Sequence, residues 1–331
     1  MNSRMRPLYD TDREILQTAI GWLEEGHRPL LVTVAKTWGS SPRPVGSLML
    51  LREDGVYSGS VSGGCVEEDL SMRYRDGQLG DRLPTSIDYG VERLEAARLG
   101  LPCGGRLELV LEMLDEPASL RRLLDRIDAH QLVLRRVCLQ TGEVQLQSAV
   151  ADDGFEYATG WLQKVFGPRW EMLLIGAGQL SQYVASLATM LGYRVFLCDP
   201  REQAAWNPAG EGVEQVAGMP DDAVKAVATH ARIIVLALSH DPKLDDMALL
   251  EALASPAFYV GAIGSARNSA MRRERLLALG MSPQQVQRLH APAGLPIGSH
   301  APPEIALSIL AEITALRNQR TATVAAAVDA A

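Results

Sequence analysis

One stretch of this 331-residue chain carries the pattern GxGxxS, which has a clear chemical meaning. An apolar segment, Met172–Ile175, runs into two glycines, Gly176 and Gly178, and then into a predicted helix over residues 179–191. Glycine is needed at such a turn because a Cβ would block both the tight turn and the approach of a phosphate. The free N–H groups at a helix start favour an anion. We therefore predict that Gly176, Gly178 and Gln179 bind a phosphate group.

Asp199 closes the same βαβ unit. A second predicted strand, Arg194–Cys198, ends on this acid 23 residues after Gly176. An acid at about this distance meets a ribose hydroxyl in dinucleotide-binding sheets. The third glycine of the usual pattern is Ser181 here, which loosens a strict NAD inference without harming phosphate binding. The whole unit predicts a Rossmann-like, doubly wound parallel sheet.

Four loops of this predicted sheet should converge on one crevice, because ligands bind outside the carboxyl ends of its strands. Arg201 and Arg267 could hold phosphate oxygens, although Arg201 could equally form a surface salt bridge. His240 could be a base, a donor to the ligand or a polar strand cap. Besides the glycine turn, the candidate ligand-binding residues are Asp199, Arg201, Ser239, His240, Gly264, Ser265 and Arg267.

Two further segments of this half have a less direct interpretation. The loop His290–His300 is rich in glycine and proline but carries Leu295 and Ile297, so we predict that it packs over the crevice as a lid or wall. Three arginines, at positions 272, 273 and 275, cluster on one predicted helix. They are expected to form a solvated helix face rather than a binding stripe.

In the N-terminal half, two cysteines lie beside Gly-Gly pairs. Cys65 follows Gly63-Gly64, and Cys103 precedes Gly104-Gly105 and Arg106. A thiol near backbone N–H groups and an arginine can act as a nucleophile or as a soft metal ligand. The alternative is an inert buried side chain.

The Gly63-Gly64 turn also precedes a predicted helix, so its backbone N–H groups could bind a phosphate in the same way. Glu67, Glu68 and Asp69 fall in the first turn of that helix. We expect these acids to have a structural role, because negative charge complements the helix dipole there.

Composition narrows the class of protein. The net charge of −8 argues against general attraction to nucleic acid or to an anionic membrane. The four cysteines have no CxxC spacing, so neither a zinc site nor a disulfide framework is indicated. No apolar run reaches the length of a membrane span or of a signal peptide, and we expect a cytoplasmic protein.

The predicted fold is α/β, with a smaller α+β N-terminal domain before the Rossmann-like sheet. The Gly167-Pro168 pair marks the boundary between them. We divide the chain into an N-terminal domain (residues 1–115), a connecting α+β segment (116–168), a Rossmann-like domain (169–320) and a flexible tail (321–331).

Several long motifs in this order resemble the XdhC/CoxI family, the xanthine dehydrogenase accessory proteins. In the N-terminal half they are TWGSSPRPVGS (37–47), GSVSGGCVEEDL (59–70) and PCGGRLELVLE (102–112). The C-terminal half adds LLIGAGQLSQYVASLATMLGYRVFLCDPR, SHDPKLDD, YVGAIGSARN and HAPAGLPIGSHAPPEIALSILAEI. The resemblance covers about residues 12–318.

The resemblance implies a chaperone that holds the molybdenum cofactor, as molybdopterin or its cytidine dinucleotide form. It implies sulfuration of that cofactor by a cysteine desulfurase and delivery to an apo-molybdoenzyme of the xanthine dehydrogenase or aldehyde oxidase type. Cys103 is then the candidate contact to sulfur or to molybdenum. A homodimer is expected. The N-terminal residues expected at the cofactor are Ser40, Ser41, Arg43, Gly63, Gly64, Cys65, Gly104, Gly105 and Arg106.

Two other classes of function stay open at this level. In an NAD(P)-dependent oxidoreductase, Asp199 would bind a ribose hydroxyl, although the sequence indicates no pair of residues to act as acid or base beside a nicotinamide. A redox sensor would use Cys65 or Cys103.

Overall fold

The computed structural model describes residues 11–38, 43–79, 84–90, 106–149, 154–158, 160–201 and 212–328. It divides into two compact units, Asp10–Gly167 and Pro168–Gln319, which we call the N-terminal unit and the Rossmann unit. Residues 116–167 of the segment that we interpreted as a connection fall within the N-terminal unit.

The N-terminal unit begins with helix α1 and a five-stranded antiparallel sheet. The β-branched and leucine-rich segment around residue 32 forms its central strand, which pairs with a strand on each side. The order is β3-β2-β1-β5-β4. The elements are α1 (Thr11–Glu24), β1 (Leu30–Trp38), β2 (Leu48–Leu51), β3 (Tyr57–Gly59), α2 (Cys65–Arg75), β4 (Thr85–Tyr89) and β5 (Arg106–Met113).

A second, four-stranded antiparallel sheet completes this unit, in the order β7-β6-β9-β8. Its elements follow helix α3 (Pro117–Asp128) and are β6 (Val133–Cys138), β7 (Val144–Ser148), β8 (Phe155–Ala158) and β9 (Trp161–Phe166). The buried leucines of α3 share one apolar core with α1, β2 and β6, whereas α2 packs into a separate core with β1, β2 and β5. The first sheet is thus covered on both faces.

The Rossmann unit contains a six-stranded parallel sheet in the order β12-β11-β10-β13-β14-β15. Its strands are β10 (Glu171–Ile175), β11 (Arg194–Cys198), β12 (Val213–Gln215), β13 (Ile233–Ala237), β14 (Tyr259–Ala262) and β15 (Leu289–His290). The helices are α4 (Gln179–Met190), α5 (Pro220–Val227), α6 (Pro242–Ala254), α7 (Ala266–Ala278), α8 (Pro283–Gln287) and α9 (Pro302–Val328). The predicted doubly wound parallel sheet is confirmed.

Helices cover both faces of this sheet, which explains why its strands are continuously apolar rather than alternating. All five residues of β13 are buried, and successive residues along it enter two different cores. The strand order reverses direction between β10 and β13. Ligands of such sheets bind at that switch point.

The last helix is longer than the sequence pattern predicts. We predicted a flexible tail over residues 321–331, but α9 continues to Val328. Among the described residues, no helix combines the length and the apolar content needed to cross a bilayer.

Candidate functional site

A pocket of 740 Å³ opens at the carboxyl ends of the central strands of the Rossmann unit. Leu180 lines it from the first turn of α4, His240 from the loop after β13, and Gly264 from the loop after β14. The opposite wall comes from the segment 292–300 and from the start of α9. The predicted wall loop therefore does line the crevice, and of its two large apolar side chains Leu295 lines it whereas Ile297 does not.

The glycine turn after β10 has one position at which only glycine fits. Gly176 has a φ of 102°, a conformation that side chains rarely adopt. A Cβ there would lie 2.5 Å from the Cα of Ser239 in the neighbouring turn. The Gly176 N–H donates to the Cys198 carbonyl at 2.8 Å. Gly176 therefore allows the loops after β10 and β13 to approach each other.

Ser181, which replaces the third glycine of the usual pattern, supports the same turn. Its side chain is fully buried, and its hydroxyl donates to the Gly176 carbonyl at 2.5 Å. The serine that departs from GxGxxG therefore gives the Gly176 carbonyl a hydrogen-bond donor.

Gly178 is different, because it leaves the start of α4 open. It is the N-cap residue in an extended conformation, and a Cβ there would meet nothing within 4 Å. In the part of the chain that the structure describes, no side chain caps this helix. By contrast, Asp241 accepts from the Lys243 N–H at the start of α6, and Ser265 caps α7. The N–H groups at the start of α4 are therefore available to an anion.

Asp199 is engaged within the chain rather than offered to a ligand. Its side chain is 2% exposed, and its carboxylate accepts from the Ala177 N–H at 2.7 Å and from the Arg201 guanidinium at 2.6 Å. Burial alone would raise the pKa of this carboxyl, but the hydrogen bonds from Arg201 and Ala177 outweigh it and lower the pKa. The Asp199–Arg201 pair braces the glycine turn, and the salt-bridge interpretation of Arg201 is confirmed.

Ser239 and His240 follow β13 but face different surroundings. Ser239 is buried, and its hydroxyl donates to Asp245 at 2.6 Å. His240 has a φ of 61°, unusual for a residue with a side chain, and it is exposed where it lines the pocket. Of these two predicted residues, the pocket receives only His240.

The loop after β14 brings the other predicted residues to the pocket's edge. Gly264 has a φ of 145° and lines the pocket. The Ser265 hydroxyl accepts from the Asn268 N–H and so caps α7. The Arg267 side chain is exposed and forms no ion pair or hydrogen bond with the described part of the chain.

The expectation of a solvated arginine face on α7 is wrong. Arg272 is 7% exposed and donates to Asp245 and to the Ile263 carbonyl, each at 2.9 Å. Arg273 donates to backbone carbonyls of residues 289 and 291, and Arg275 pairs with Asp246. These arginine side chains form ion pairs and hydrogen bonds within the Rossmann unit.

Two pocket features escaped prediction from the sequence. His300 lines the pocket from the end of the wall loop, and its place in that glycine- and proline-rich segment was the available signal. The buried Asp245–Arg272 pair lies beneath the two turns. Nothing in the local pattern distinguishes Asp245 from a solvated helix acid.

In the N-terminal unit, the Gly63-Gly64 turn already holds an anion of the chain itself. The Glu67 carboxylate is 1% exposed and accepts from the N–H groups of Gly63 at 3.0 Å and Gly64 at 2.8 Å. It also accepts from Val61 N–H, Ser62 N–H and the hydroxyls of Ser60 and Ser62. The structural role predicted for Glu67 is confirmed, and those glycine N–H groups are not directed at a ligand.

Arg43 and Cys65 are brought to this same turn from two motifs. The Arg43 guanidinium donates to the Ser60 hydroxyl at 3.3 Å, and Ser60 in turn donates to Glu67. Cys65 is a free, exposed thiol in the first residue of α2. Cys198, by contrast, is buried in the core of the Rossmann unit, where burial raises the pKa of its thiol to about 11 and keeps it unreactive.

Arg106 stands at the start of β5, opposite the end of β1. It pairs with Asp88 at 3.0 Å, and its guanidinium stacks over Trp38 with 4.6 Å to the ring centroid. The predicted residues Ser40, Ser41, Cys103, Gly104 and Gly105 lie outside the described residues.

The comparisons with known proteins agree with these two units. The family model described as the XdhC Rossmann domain matches residues 172–313, and that of the XdhC and CoxI family matches residues 22–89. Over 318 residues the chain is 30% identical to the molybdenum cofactor insertion chaperone PaoD of Escherichia coli (strain K12), covering 94% of this chain and 90% of PaoD. The chain belongs to the XdhC and CoxI family. The resemblance drawn from the motifs is confirmed.

Two further known proteins match nearly all of this XdhC and CoxI member. It is 25% identical over 334 residues to a probable xanthine dehydrogenase subunit of Bacillus subtilis (strain 168), covering 90% of this chain and 96% of that one. A crystal structure described as a xanthine dehydrogenase from Bacillus halodurans superposes with a TM-score of 0.70 at 24% identity, covering 94% and 96% of the two chains. The shared architecture thus extends over both units.

Proposed function

We propose that this protein binds the molybdenum cofactor as cargo and inserts it into an apo-enzyme of the xanthine dehydrogenase or aldehyde oxidase type. One observation carries the proposal: an uncapped helix start, at Gly178, beside a pocket of 740 Å³. The full-length relationship to PaoD, a molybdenum cofactor insertion chaperone, supports it.

The residues of the Rossmann unit suit one end of such a cargo. Molybdopterin carries a phosphate, or a pyrophosphate in its dinucleotide form, and the N–H groups at the start of α4 would hold it. The pocket beside them combines apolar side chains, such as Leu180 and Leu295, with two imidazoles, His240 and His300. An apolar pocket with few polar groups fits a flat heterocycle that needs orientation as well as burial.

The N-terminal unit carries groups of the kind that bind a soft metal. Arg43 and the exposed Cys65 thiol adjoin one turn, and Cys103 is the further thiol that we propose contacts sulfur or molybdenum. Soft thiolates suit such a centre. In this account the cargo is sulfurated by a cysteine desulfurase before delivery, and the chaperone works in the cytoplasm as a homodimer.

An NAD(P)-dependent oxidoreductase is disfavoured by the state of Asp199. Its carboxylate is buried and bound by Arg201 and the Ala177 N–H, so a ribose would have to displace an existing ion pair. We expect titration with NADH or NADPH to give no change in nicotinamide fluorescence at micromolar protein. Tight binding with turnover of a small carbonyl would favour the oxidoreductase instead.

Reconstitution tests insertion directly. A molybdenum-free xanthine dehydrogenase-type enzyme is incubated with cysteine desulfurase, molybdenum cofactor and this protein, and its activity is followed. We expect activation to require the wild-type chain and to fall at least about tenfold with Cys103→Ala, because a thiol near the metal is lost. Cys138→Ala, which changes a half-buried cysteine that adjoins neither Gly-Gly pair, is the control. Full activation without the protein would contradict the proposal.

A further inference from the structure

A buried ion pair links the two turns that carry His240 and Gly264 to the pocket. Asp245, on α6, is fully buried and accepts from both the N–H and the hydroxyl of Ser239, at 3.2 and 2.6 Å. Arg272, on α7, donates to Asp245 through one terminal nitrogen and to the Ile263 carbonyl through the other, each at 2.9 Å. The Arg272 guanidinium therefore binds Asp245, which holds the turn after β13, and the Ile263 carbonyl, which belongs to the turn after β14.

The turns themselves need support from below. His240 is held at a φ of 61°, which a residue with a side chain rarely adopts, whereas the φ of 145° at Gly264 is open to glycine. The Asp241 N–H donates to the Ser239 hydroxyl at 3.0 Å, so the network reaches past His240 to the start of α6. Strained loop conformations persist only where surrounding contacts determine them.

Stability alone does not account for this pair. Removing two charges from water costs free energy that their attraction often fails to recover, so apolar residues could fill the same space at equal stability. An apolar pair would contact neither the Ser239 hydroxyl nor the Ile263 carbonyl. The fork of Arg272 is suited to holding two acceptors at fixed separation, which a lysine ammonium cannot reproduce.

We infer that Arg272 is a positioning residue for the pocket: through Asp245 it fixes the turn that presents His240, and through the Ile263 carbonyl it fixes the turn that presents Gly264. The two turns then keep a constant spacing around a bound ligand. This inference rests on the proposed function for its ligand but not for its geometry.

Hydrogen exchange of the backbone amides tests the inference without any ligand. In Arg272→Met we expect amide exchange to speed up about tenfold or more at both turns, residues 239–241 and 263–269, because each loses a charged hydrogen-bonded support. In Arg272→Lys the ammonium can keep Asp245 but not both acceptors, so only residues 263–269 should loosen. Arg275→Met, one turn away and paired with Asp246, should change neither segment.

Unchanged exchange at either turn in Arg272→Met would overturn the inference, as would an equal increase across all strands of the Rossmann unit. Should Arg272→Met fail to fold, Arg272→Lys decides alone: loosening confined to residues 263–269 supports it, and no loosening there refutes it. A second readout is the affinity for molybdopterin, expected to fall about tenfold in Arg272→Met. A wild-type chain that binds no molybdopterin would refute the proposed function, while the exchange result would still decide the role of Arg272.

Discussion

Gly178→Asp is expected to lower the affinity for molybdopterin by about 100-fold or more while the protein stays as stable as the wild type. An aspartate at this N-cap position accepts from the first N–H groups of α4 and places a negative charge where the phosphate would bind. Losing charged hydrogen bonds of this kind costs about 3 kcal/mol of binding free energy, which corresponds to roughly 100-fold. The measurement is a fluorescence titration with isolated molybdopterin.

The fold should tolerate this change, so that lost binding reports on the site. Gly178 has an extended conformation and open space around its Cβ position, and an N-cap aspartate should change the stability of α4 by only a few tenths of a kcal/mol relative to glycine. Gly178→Asn caps the helix without the charge and should have a smaller effect on affinity. Gly21→Asp, where a Cβ also meets nothing within 4 Å, controls for the added charge. Unaltered affinity in Gly178→Asp would place the phosphate elsewhere.

Glu67→Gln is expected to destabilise the N-terminal unit by about 2–4 kcal/mol, because an amide cannot satisfy the buried donors that converge on this carboxylate. For a unit of this size the melting temperature should fall by roughly 4–16 °C. Scanning calorimetry resolves this if the two units unfold in separate transitions. Glu68→Gln, an exposed acid on the same helix turn, should change the melting temperature by little.

The same residue should make the unit sensitive to acid. Burial would raise the pKa of Glu67, but hydrogen bonds from Ser62, Gly63 and Ser60 prevail and hold the pKa far below its ordinary value of 4.5. A depressed pKa in the folded state means that the stabilisation is complete above about pH 4.5 and is lost as the pH falls below it. The difference in melting temperature between wild type and Glu67→Gln should therefore be constant at neutral pH and shrink below about pH 4.5. A constant difference down to about pH 3 would show that the carboxylate charge is not what the turn requires.

The parallel sheet could be predicted from sequence because its signals are local. Apolar runs such as residues 233–237 end in loops, and a glycine turn followed by an amphipathic helix identifies the first unit. The extent of α9 could not be predicted in the same way. Its alanine-rich end has high helix propensity but no apolar stripe, and we interpreted it as a tail.

The candidate site was predictable in outline, because carboxyl ends of parallel strands meet at one edge. What each residue does there depends on partners far away in sequence. Asp199 looked like a ribose acceptor, yet Arg201 and the Ala177 N–H occupy it. The Gly63-Gly64 turn looked like a phosphate site, yet Glu67 fills it. Gly178 resembles those glycines in sequence, and it differs from them because no side chain among the described residues caps α4.

Cofactor retained through purification tests the central claim most directly. The wild-type chain and Gly178→Asp are expressed in cells that make molybdopterin, purified without added ligand, and oxidised so that any bound pterin becomes its fluorescent product. We predict near-stoichiometric pterin in the wild type and little in Gly178→Asp. Pterin at background level in the wild type, from cells shown to contain the free cofactor, would contradict the account.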